Sequence, residues 1–260
     1  MSFFQIYFEA LIPILTLMTI LWLFSILKKN VSIVDAFWGI GFMLTATFYF
    51  FRGENQNLLN SIVLLLIFIW GLRLSIYITW RNWGKGEDFR YAKFRKDYGE
   101  NRYWWISFFQ TFLLQGILVW LISAPLLAIQ YFGTNECLGF TAIIALVLWI
   151  IGFTFEAGGD YQLSRFKSNP ENKGKVLKTG FWKYTRHPNY FGDATVWWAF
   201  GLFALSAGCG ITLLSSLLMS LLIIKVSGVS LLEKTLKTSK SEYQEYCSKT
   251  NAFFPWFPKK

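Results

Sequence analysis

Long runs of apolar residues, separated by short polar segments, dominate the pattern of this chain. The runs fall at about residues 4–27, 33–51, 58–80, 107–131, 138–158, 190–207 and 211–232. A helix needs about 20 apolar residues to cross the hydrocarbon core of a bilayer, and most of the runs are close to that length. The pattern therefore predicts an all-α, polytopic membrane helix bundle of about seven transmembrane helices. Only a glycine-rich turn separates the last two runs, so six spans with one re-entrant pair are an alternative.

Basic residues are distributed unevenly among the segments that join the predicted spans. Segments 28–32, 81–106, 159–189 and 233–260 together carry 22 Lys and Arg residues, whereas the other set of segments carries only Arg52. Positive residues accumulate on the cytosolic side of membrane proteins. We therefore predict an N-terminus outside and a C-terminus in the cytosol, at the cell inner membrane if the source is bacterial. An active site built from these basic segments would face the cytosol.

The composition agrees with a single integral membrane domain over residues 1–260. Hydrophobic residues make up 54% of the chain and charged residues only 15%, against about 25% charged residues in soluble proteins. Cytosolic anchoring accounts for much of the net charge of +10, with an anionic ligand as the other contribution, and we expect no nucleic acid partner. A single histidine and three cysteines without metal-ligand spacing predict no metal site.

Ionisable residues within predicted spans are the first candidates for chemistry, because a charge in hydrocarbon is costly and usually faces a cavity or a partner. Asp35 and Arg73 are such residues. Arg73, Tyr77 and Arg81 recur at four-residue intervals, which places them on one face of a helix. Two guanidinium groups and a phenol would suit an anionic cofactor. Snorkelling with interfacial anchoring is the alternative, and it explains Arg81 better than Arg73.

Asp35 lies just inside the second predicted span, near its cytosolic boundary. If Asp35 is buried, desolvation favours the protonated acid, which could donate a hydrogen bond to a carbonyl oxygen. An equally good interpretation is that Asp35 caps the start of the helix, with Ser32 as the competing cap.

The densest polar stretch runs from residue 160 to residue 193 and joins two predicted spans. Arg186 and His187 come immediately before the sixth span. The free backbone N–H groups of a helix start, with these two side chains beside them, would form a site for phosphate. For His187, such a role is favoured over proton transfer. The chain has no Rossmann or Walker A glycine motif, so a nucleotide would need a pocket walled by transmembrane helices.

Four parts of the chain carry a family resemblance: residues 179–193 (TGFWKYTRHPNYFGD), segments 242–247 (EYQEYC) and 253–258 (FFPWFP), and Glu233. They resemble the steroid 5-alpha-reductase and sterol reductase superfamily, and in particular its bacterial branch, a domain of unknown function (DUF1295-like). The resemblance covers roughly residues 150–260 well and the first half of the chain only loosely.

The resemblance implies a helical membrane oxidoreductase that uses NADPH to transfer hydride to an activated C=C bond of a steroid-like or other enone substrate. It implies a substrate side in residues 1–132 and a cofactor side in residues 133–260. The family's Gln-Glu pair is absent, so Asp35 and Tyr77 become the expected catalytic residues that polarise the substrate carbonyl. The residues expected to bind the cofactor are Arg73, Arg81, Asp160, Lys173, Arg186, His187, Asn189, Tyr190, Asp193 and Glu233.

Two other functions stay open at this point. The sequence Arg-His-Pro-x-Tyr also resembles the isoprenylcysteine and phospholipid methyltransferases, which bind S-adenosylmethionine; Asp193 and the basic residues before Arg186 favour the reductases, because NADPH carries several phosphate charges. A transporter or structural membrane protein would use Asp35 and Arg73 as a buried ion pair, which leaves the polar stretch unexplained. We expect a lipophilic substrate and membrane lipids as partners, while the acceptor and the oligomeric state stay open.

Overall fold

The computed structural model describes residues 1–53, 56–133, 138–227, 229, 233 and 242–259. Every regular element in these ranges is helical, and they contain no strand. The chain divides into two compact units, which we call unit 1 (Met1–Leu138 with Ala207–Cys209) and unit 2 (Gly139–Ser206 with Gly210–Lys260). The predicted single domain over the whole chain stays a prediction.

Helices that are long and apolar enough to cross a membrane are present, as the apolar runs predict. Within the described residues, four helical stretches are long and apolar enough to cross a bilayer: Phe3–Lys28, Leu58–Asn82, Glu100–Phe132 and Phe140–Ser168. The apolar helical stretch Gly210–Val226 is shorter. Residues 228 and 230–232 of the predicted seventh span lie outside the described residues. The number of seven spans and the orientation of the chain stay predictions.

Unit 1 is built from helices that follow one another closely. They are α1 (Phe3–Glu9), α2 (Leu11–Lys28), α3 (Ile33–Ala36), α4 (Trp38–Arg52), α5 (Leu58–Asn82), α6 (Phe89–Tyr98), α7 (Glu100–Ser107), α8 (Leu114–Ile122) and α9 (Ala124–Phe132). A π-helical turn, Phe108–Leu113, joins α7 to α8. Such turns insert an extra residue into a helix and shift the direction of the side chains that follow.

Small residues let α4 and α5 cross at close range. A Cβ atom added to Gly39 would lie 2.4 Å from the carbonyl oxygen of Gly71. Close backbone approach at glycines favours helix packing inside membranes, where no hydrophobic effect drives the helices together. The crossing fixes α3 and α4, and with them Asp35, against α5.

Unit 2 is built around two long helices. Its elements are α10 (Phe140–Ser168), the 3-10 turns Pro170–Asn172 and Gly180–Lys183, α11 (Pro188–Ser206), the 3-10 turn Gly210–Thr212, α12 (Leu213–Leu221), the π-helical turn Leu222–Ser227 and α13 (Glu242–Lys249). With 29 residues, α10 is about 43 Å long, which exceeds the hydrocarbon thickness of about 30 Å. Its polar last third, from Asp160 onward, can therefore extend beyond the hydrocarbon.

Glycines also bring α10 and α11 into close contact. A Cβ atom on Gly192 would lie 2.3 Å from the backbone nitrogen of Glu156, and one on Gly152 would lie 2.8 Å from the carbonyl oxygen of Gly192. Because both obstacles are backbone atoms, no side-chain rotation could make room. The pair of helices places the polar end of α10 against the first turn of α11.

Candidate functional site

Unit 1 contains a polar cluster centred on Asp35, in the first turn of α3. Arg90 Nη2 donates to Asp35 Oδ2 at 2.6 Å, and the Tyr91 hydroxyl donates to Asp35 Oδ1 at 2.6 Å. Gln115 Nε2, on α8, lies 3.4 Å from Asp35 Oδ1 and 3.3 Å from the Tyr91 hydroxyl. We call these four residues the Asp35 cluster. The side chain of Asp35 remains 17% exposed and that of Arg90 31% exposed.

Local structure explains why α6 delivers Arg90 and Tyr91 to Asp35. The side chain of Asp88 caps α6 by accepting from Arg90 N at 3.0 Å, and it also accepts from Arg90 Nε at 2.9 Å. Glu87 accepts from the backbone of Val31 at 2.7 Å and pairs with Arg95 at 2.8 Å. These contacts tie α6 to the turn that precedes α3.

Electrostatics in the Asp35 cluster keep the guanidinium charged and the phenol neutral. Burial alone would lower the pKa of Arg90, but the hydrogen bond to Asp88 and the charge of Asp35 raise it. Burial and the neighbouring charge of Asp35 both raise the pKa of Tyr91. Both Asp35 oxygens accept hydrogen bonds, so the proton donors of this cluster are Tyr91, Arg90 and Gln115.

The other unit 1 residues selected from the sequence lie on α5. The four-residue spacing brings the Arg81 guanidinium over the Tyr77 ring, at 5.6 Å from its centroid. The phenol that donates to Asp35 in the described structure belongs to Tyr91. On the sequence alone, Tyr77 is instead the expected partner of Asp35. The ion-pair partner described for Asp35 is Arg90, whereas the transporter hypothesis used Arg73.

Unit 2 contains a more deeply buried cluster around Glu233. Arg186 Nε donates to Glu233 Oε1 at 2.8 Å, the Tyr243 hydroxyl donates to the same oxygen at 3.0 Å, and His187 Nε2 lies 3.1 Å from it. The side chains of Glu233, Arg186 and His187 are 12%, 10% and 2% exposed. These four residues form the Glu233 cluster, which joins the start of α11 to α13.

The charge balance of this cluster favours the ion pair strongly. Burial alone would raise the pKa of Glu233, but hydrogen bonds from His187 and Arg186, together with the Arg186 charge, hold it well below its usual range. Burial would lower the pKa of Arg186, and its hydrogen bond to Glu233 reverses that effect and raises it. Glu233 is therefore ionised and Arg186 protonated across the physiological range.

Backbone carbonyl groups occupy much of the remaining hydrogen-bonding capacity of Arg186. Its Nη1 donates to the carbonyl oxygens of Cys247 at 3.1 Å and of Thr250 at 2.5 Å, and its backbone N–H donates to Asn251 O at 2.9 Å. Arg186 thus holds the chain after α13 in place. A phosphate-binding role for Arg186, expected from the sequence, would compete with these contacts.

A second polar contact joins α10 to α11 beside the Glu233 cluster. Asn189 Nδ2 donates to Asp160 Oδ1 at 3.0 Å. Asn189 Oδ1 is buried and accepts no hydrogen bond within the described residues. The Tyr190 ring stacks on the His187 ring at a centroid distance of 5.8 Å, and Asp193 follows Asn189 one turn later on α11. The first turn of α11 therefore gathers Asn189, Tyr190 and Asp193 near one another.

An open groove of about 870 Å³ lies between the last turns of α10 and the loop that follows it. Polar and aromatic side chains line it together, including Gln162, Arg165, Phe166, Asn169, Thr179 and Phe181. The loop is fixed because Phe181 N donates to Gln162 Oε1 at 3.0 Å and Trp182 Nε1 donates to Gly159 O at 3.1 Å. Gly180 has a φ of +62°, a conformation that glycine adopts without strain.

None of the cofactor residues selected from the sequence is part of the described lining of this groove. Lys173 lies in the same loop, exposed, after the turn Pro170–Asn172. Sequence reasoning missed Gln162 and Arg165, although both lie in the polar stretch that it singled out. It also missed Tyr91 and Arg90, which lie in a segment interpreted as a surface helix.

The chain is similar in sequence to proteins of Schizosaccharomyces pombe. The uncharacterized protein C594.04c of Schizosaccharomyces pombe is 24% identical over 91% of this chain and 76% of its own length. The Delta(14)-sterol reductase erg24 of the same organism is 33% identical over 110 residues, 36% of this chain. The chain covers only 25% of the length of that reductase. No solved structure matches the chain.

Residues 21–250 match the family described as "Protein of unknown function (DUF1295)". The match covers all of the Asp35 cluster and all of the Glu233 cluster. This chain belongs to the DUF1295 family.

Proposed function

We propose that this protein is an NADPH-dependent membrane reductase that adds hydride and a proton to the C=C bond of a lipophilic acceptor. The observation that carries the proposal is the groove of about 870 Å³ in unit 2, lined by Arg165, amides and aromatic rings. Its size falls within the range of small-molecule sites. The partial similarity to a sterol reductase supports the same class of reaction.

The residues of unit 2 fit a dinucleotide. Arg165 would pair with a phosphate, Gln162 and Asn169 would hydrogen-bond to sugar or base, and Phe166 and Phe181 would pack on a ring. NADPH, when bound, supplies the hydride.

Arg186, His187 and Glu233 take a positioning role in this proposal. Their mutual contacts fix the start of α11, and through it Asn189, Tyr190 and Asp193. The sequence hypothesis of direct phosphate binding by Arg186 and His187 is thereby replaced by an indirect one. Lys173, exposed on the loop, is free to approach a phosphate from solvent.

In unit 1, the Asp35 cluster is proposed to bind the polar group of the acceptor. Tyr91 takes the role that the sequence gave to Tyr77, because its hydroxyl is held by Asp35 at 2.6 Å. A phenol and a guanidinium beside a carboxylate can orient a carbonyl or hydroxyl oxygen. The expectation from the sequence that Arg73 and Arg81 on α5 bind the cofactor stays a prediction. The acceptor would enter from the bilayer, and the basic segments would face the cytosol.

Binding experiments in lipid nanodiscs test this proposal. We expect the purified protein to bind NADPH, and Arg165→Leu to weaken that binding at least tenfold through loss of a charge-assisted contact. Lys183→Leu, which removes an exposed charge from the same unit outside the groove, is the control and should leave affinity unchanged. Absence of NADPH binding, or equal effects of both variants, would contradict the proposal.

The alternative is an S-adenosylmethionine-dependent membrane methyltransferase. The observation that favours it is the meeting of Arg186 and His187 with Glu233 in one cluster. Arg186 and His187 belong to the Arg-His-Pro-x-Tyr sequence, which resembles that of such enzymes. The same nanodisc experiment separates the two. Saturable binding of S-adenosylmethionine without NADPH binding would establish the alternative.

A further inference from the structure

Three large aromatic side chains after α13 are mostly exposed. Phe254, Trp256 and Phe257 are 71%, 68% and 74% exposed. They belong to residues 250–259, which we call the aromatic segment. Exposed apolar patches of this kind mark surfaces that contact a protein or a membrane.

The backbone of the aromatic segment is held in place, so the exposure is a property of a fixed surface. Trp256 N donates to Tyr184 O at 2.9 Å. The Thr185 hydroxyl donates to Phe253 O at 2.8 Å, and the Arg186 N–H donates to Asn251 O at 2.9 Å. The three exposed rings are therefore presented by a chain with defined hydrogen bonds.

Contacts with α11 and α10 show where the aromatic segment lies along the axis of α10. Phe253 and Phe254 lie 6.0 and 6.3 Å from Phe191 on α11, and Phe191 lies 5.2 Å from Phe155 on α10. Phe155 is about 22 Å along α10 from Phe140. The segment therefore lies near the far end of a span of about 30 Å, where hydrocarbon gives way to headgroups.

The exposed surface of α10 leads to this level. Its large exposed apolar residues run from Phe140 to Ile151, and the first buried carboxylate, Glu156, follows. Because α10 is long and apolar enough to span a membrane, we expect that stripe to face lipid. The aromatic segment continues the lipid-facing surface at its polar edge.

We propose that the aromatic segment is an interfacial anchor, whose partner is the boundary between lipid headgroups and acyl chains. Aromatic side chains concentrate at that boundary. The exposed Lys183 and Lys259 next to the rings can extend their charges toward the headgroups. The proposal is independent of the reductase activity.

The anchor also has a consequence for the Glu233 cluster. Two of the three carbonyl oxygens that accept from Arg186, those of Thr250 and Asn251, belong to the aromatic segment. Lipid contact that fixes the segment therefore also fixes Arg186. Loss of lipid contact should loosen these hydrogen bonds first.

Site-specific photocrosslinking tests the anchor without removing an aromatic group. A benzophenone amino acid would replace Trp256 or Phe257 in protein reconstituted into phosphatidylcholine vesicles, with Val147 on α10 as the lipid-facing control and Glu171 as the solvent-facing control. We expect phospholipid adducts at Trp256, Phe257 and Val147 and none at Glu171. Adducts at Val147 alone, or crosslinks from Trp256 to protein only, would overturn the proposal.

Hydrogen exchange in the same vesicles tests the coupling to Arg186. We expect Trp256→Ser to speed exchange of the Arg186 amide about fivefold to tenfold, through local opening of the segment. Phe140→Ser removes a ring of similar exposure, 79%, at the opposite end of α10 and should leave that amide unchanged. Equal exchange in wild type and Trp256→Ser would overturn the coupling.

Discussion

The Asp35 cluster and the Glu233 cluster use the same chemical groups in different surroundings. Each has a carboxylate that accepts from an arginine and a tyrosine. The Asp35 cluster is partly exposed, and polar side chains of neighbouring helices form it. The Glu233 cluster is nearly buried, and its arginine also donates to backbone carbonyl groups. Burial and backbone contacts favour a structural role for the Glu233 cluster. In the Asp35 cluster, Asp35 and Arg90 remain partly accessible to a ligand, while Tyr91 is only 6% exposed.

The largest effect is expected from Glu233→Gln. The change leaves Arg186 buried without its counter-charge, and breaking a buried ion pair in this way costs about 3–5 kcal/mol. Thermal unfolding in detergent should show a clear loss of stability. Glu242→Gln, which removes an exposed carboxylate of α13, is the matched control, and an equally large loss there would contradict a special role for Glu233.

A smaller loss is expected from Asp35→Asn. Because Asp35 and Arg90 are partly exposed and Arg90 keeps its bonds to Asp88, we expect about 1–2 kcal/mol. The same unfolding measurement gives the comparison. If Asp35→Asn destabilised the protein as much as Glu233→Gln, the distinction between an open and a closed cluster would be wrong.

Tyr91→Phe and Tyr77→Phe separate the two candidate phenols. Loss of the hydroxyl that Asp35 holds should lower kcat/KM for reduction about tenfold, because a hydrogen bond between Tyr91 and a charged group is lost. Tyr77→Phe should have a smaller effect. Steady-state kinetics with an enone acceptor would measure both, and the reverse order would restore Tyr77 as the catalytic phenol.

The pH dependence of stability gives the smallest effect. The pKa of Glu233 is depressed in the folded protein relative to its usual value of 4.5. Because the pKa of this carboxyl is lower in the folded than in the unfolded protein, its ionised form stabilises the fold. This stabilisation is complete above the pKa of the unfolded state and is lost as the pH falls toward the pKa of the folded state. We expect wild type to lose about 1 kcal/mol from this group between about pH 4.5 and 3.5. Glu233→Gln should lack this component, so parallel pH profiles would refute the assignment.

Much of the fold follows from the sequence. Apolar runs predicted helices that cross a membrane, because hydrocarbon leaves backbone groups no partner outside the helix. The runs did not show that Phe37 separates α3 from α4, since both sides are equally apolar. They also did not show the π-helical turn before α8, because hydropathy contains no information on helix pitch.

The candidate site was only partly accessible to sequence reasoning. Arg186, His187 and Glu233 could be selected because sequence motifs mark them. Their contacts could not be predicted, because His187 and Glu233 are 46 residues apart in the chain and meet only in the folded protein. Tyr91 could not be distinguished from other tyrosines of an aromatic and basic segment. Its selection needed the tertiary contact with Asp35, which no periodicity encodes.

The close pairing of α10 and α11 bears on the order in which the protein assembles. The two helices are neighbours in the chain, and their glycine contacts need no other part of the protein. We expect them to pair as a helical hairpin during synthesis. Arg186 and His187 are then in place before Glu233 has been translated, and the later segment with Glu233 and Tyr243 completes the cluster.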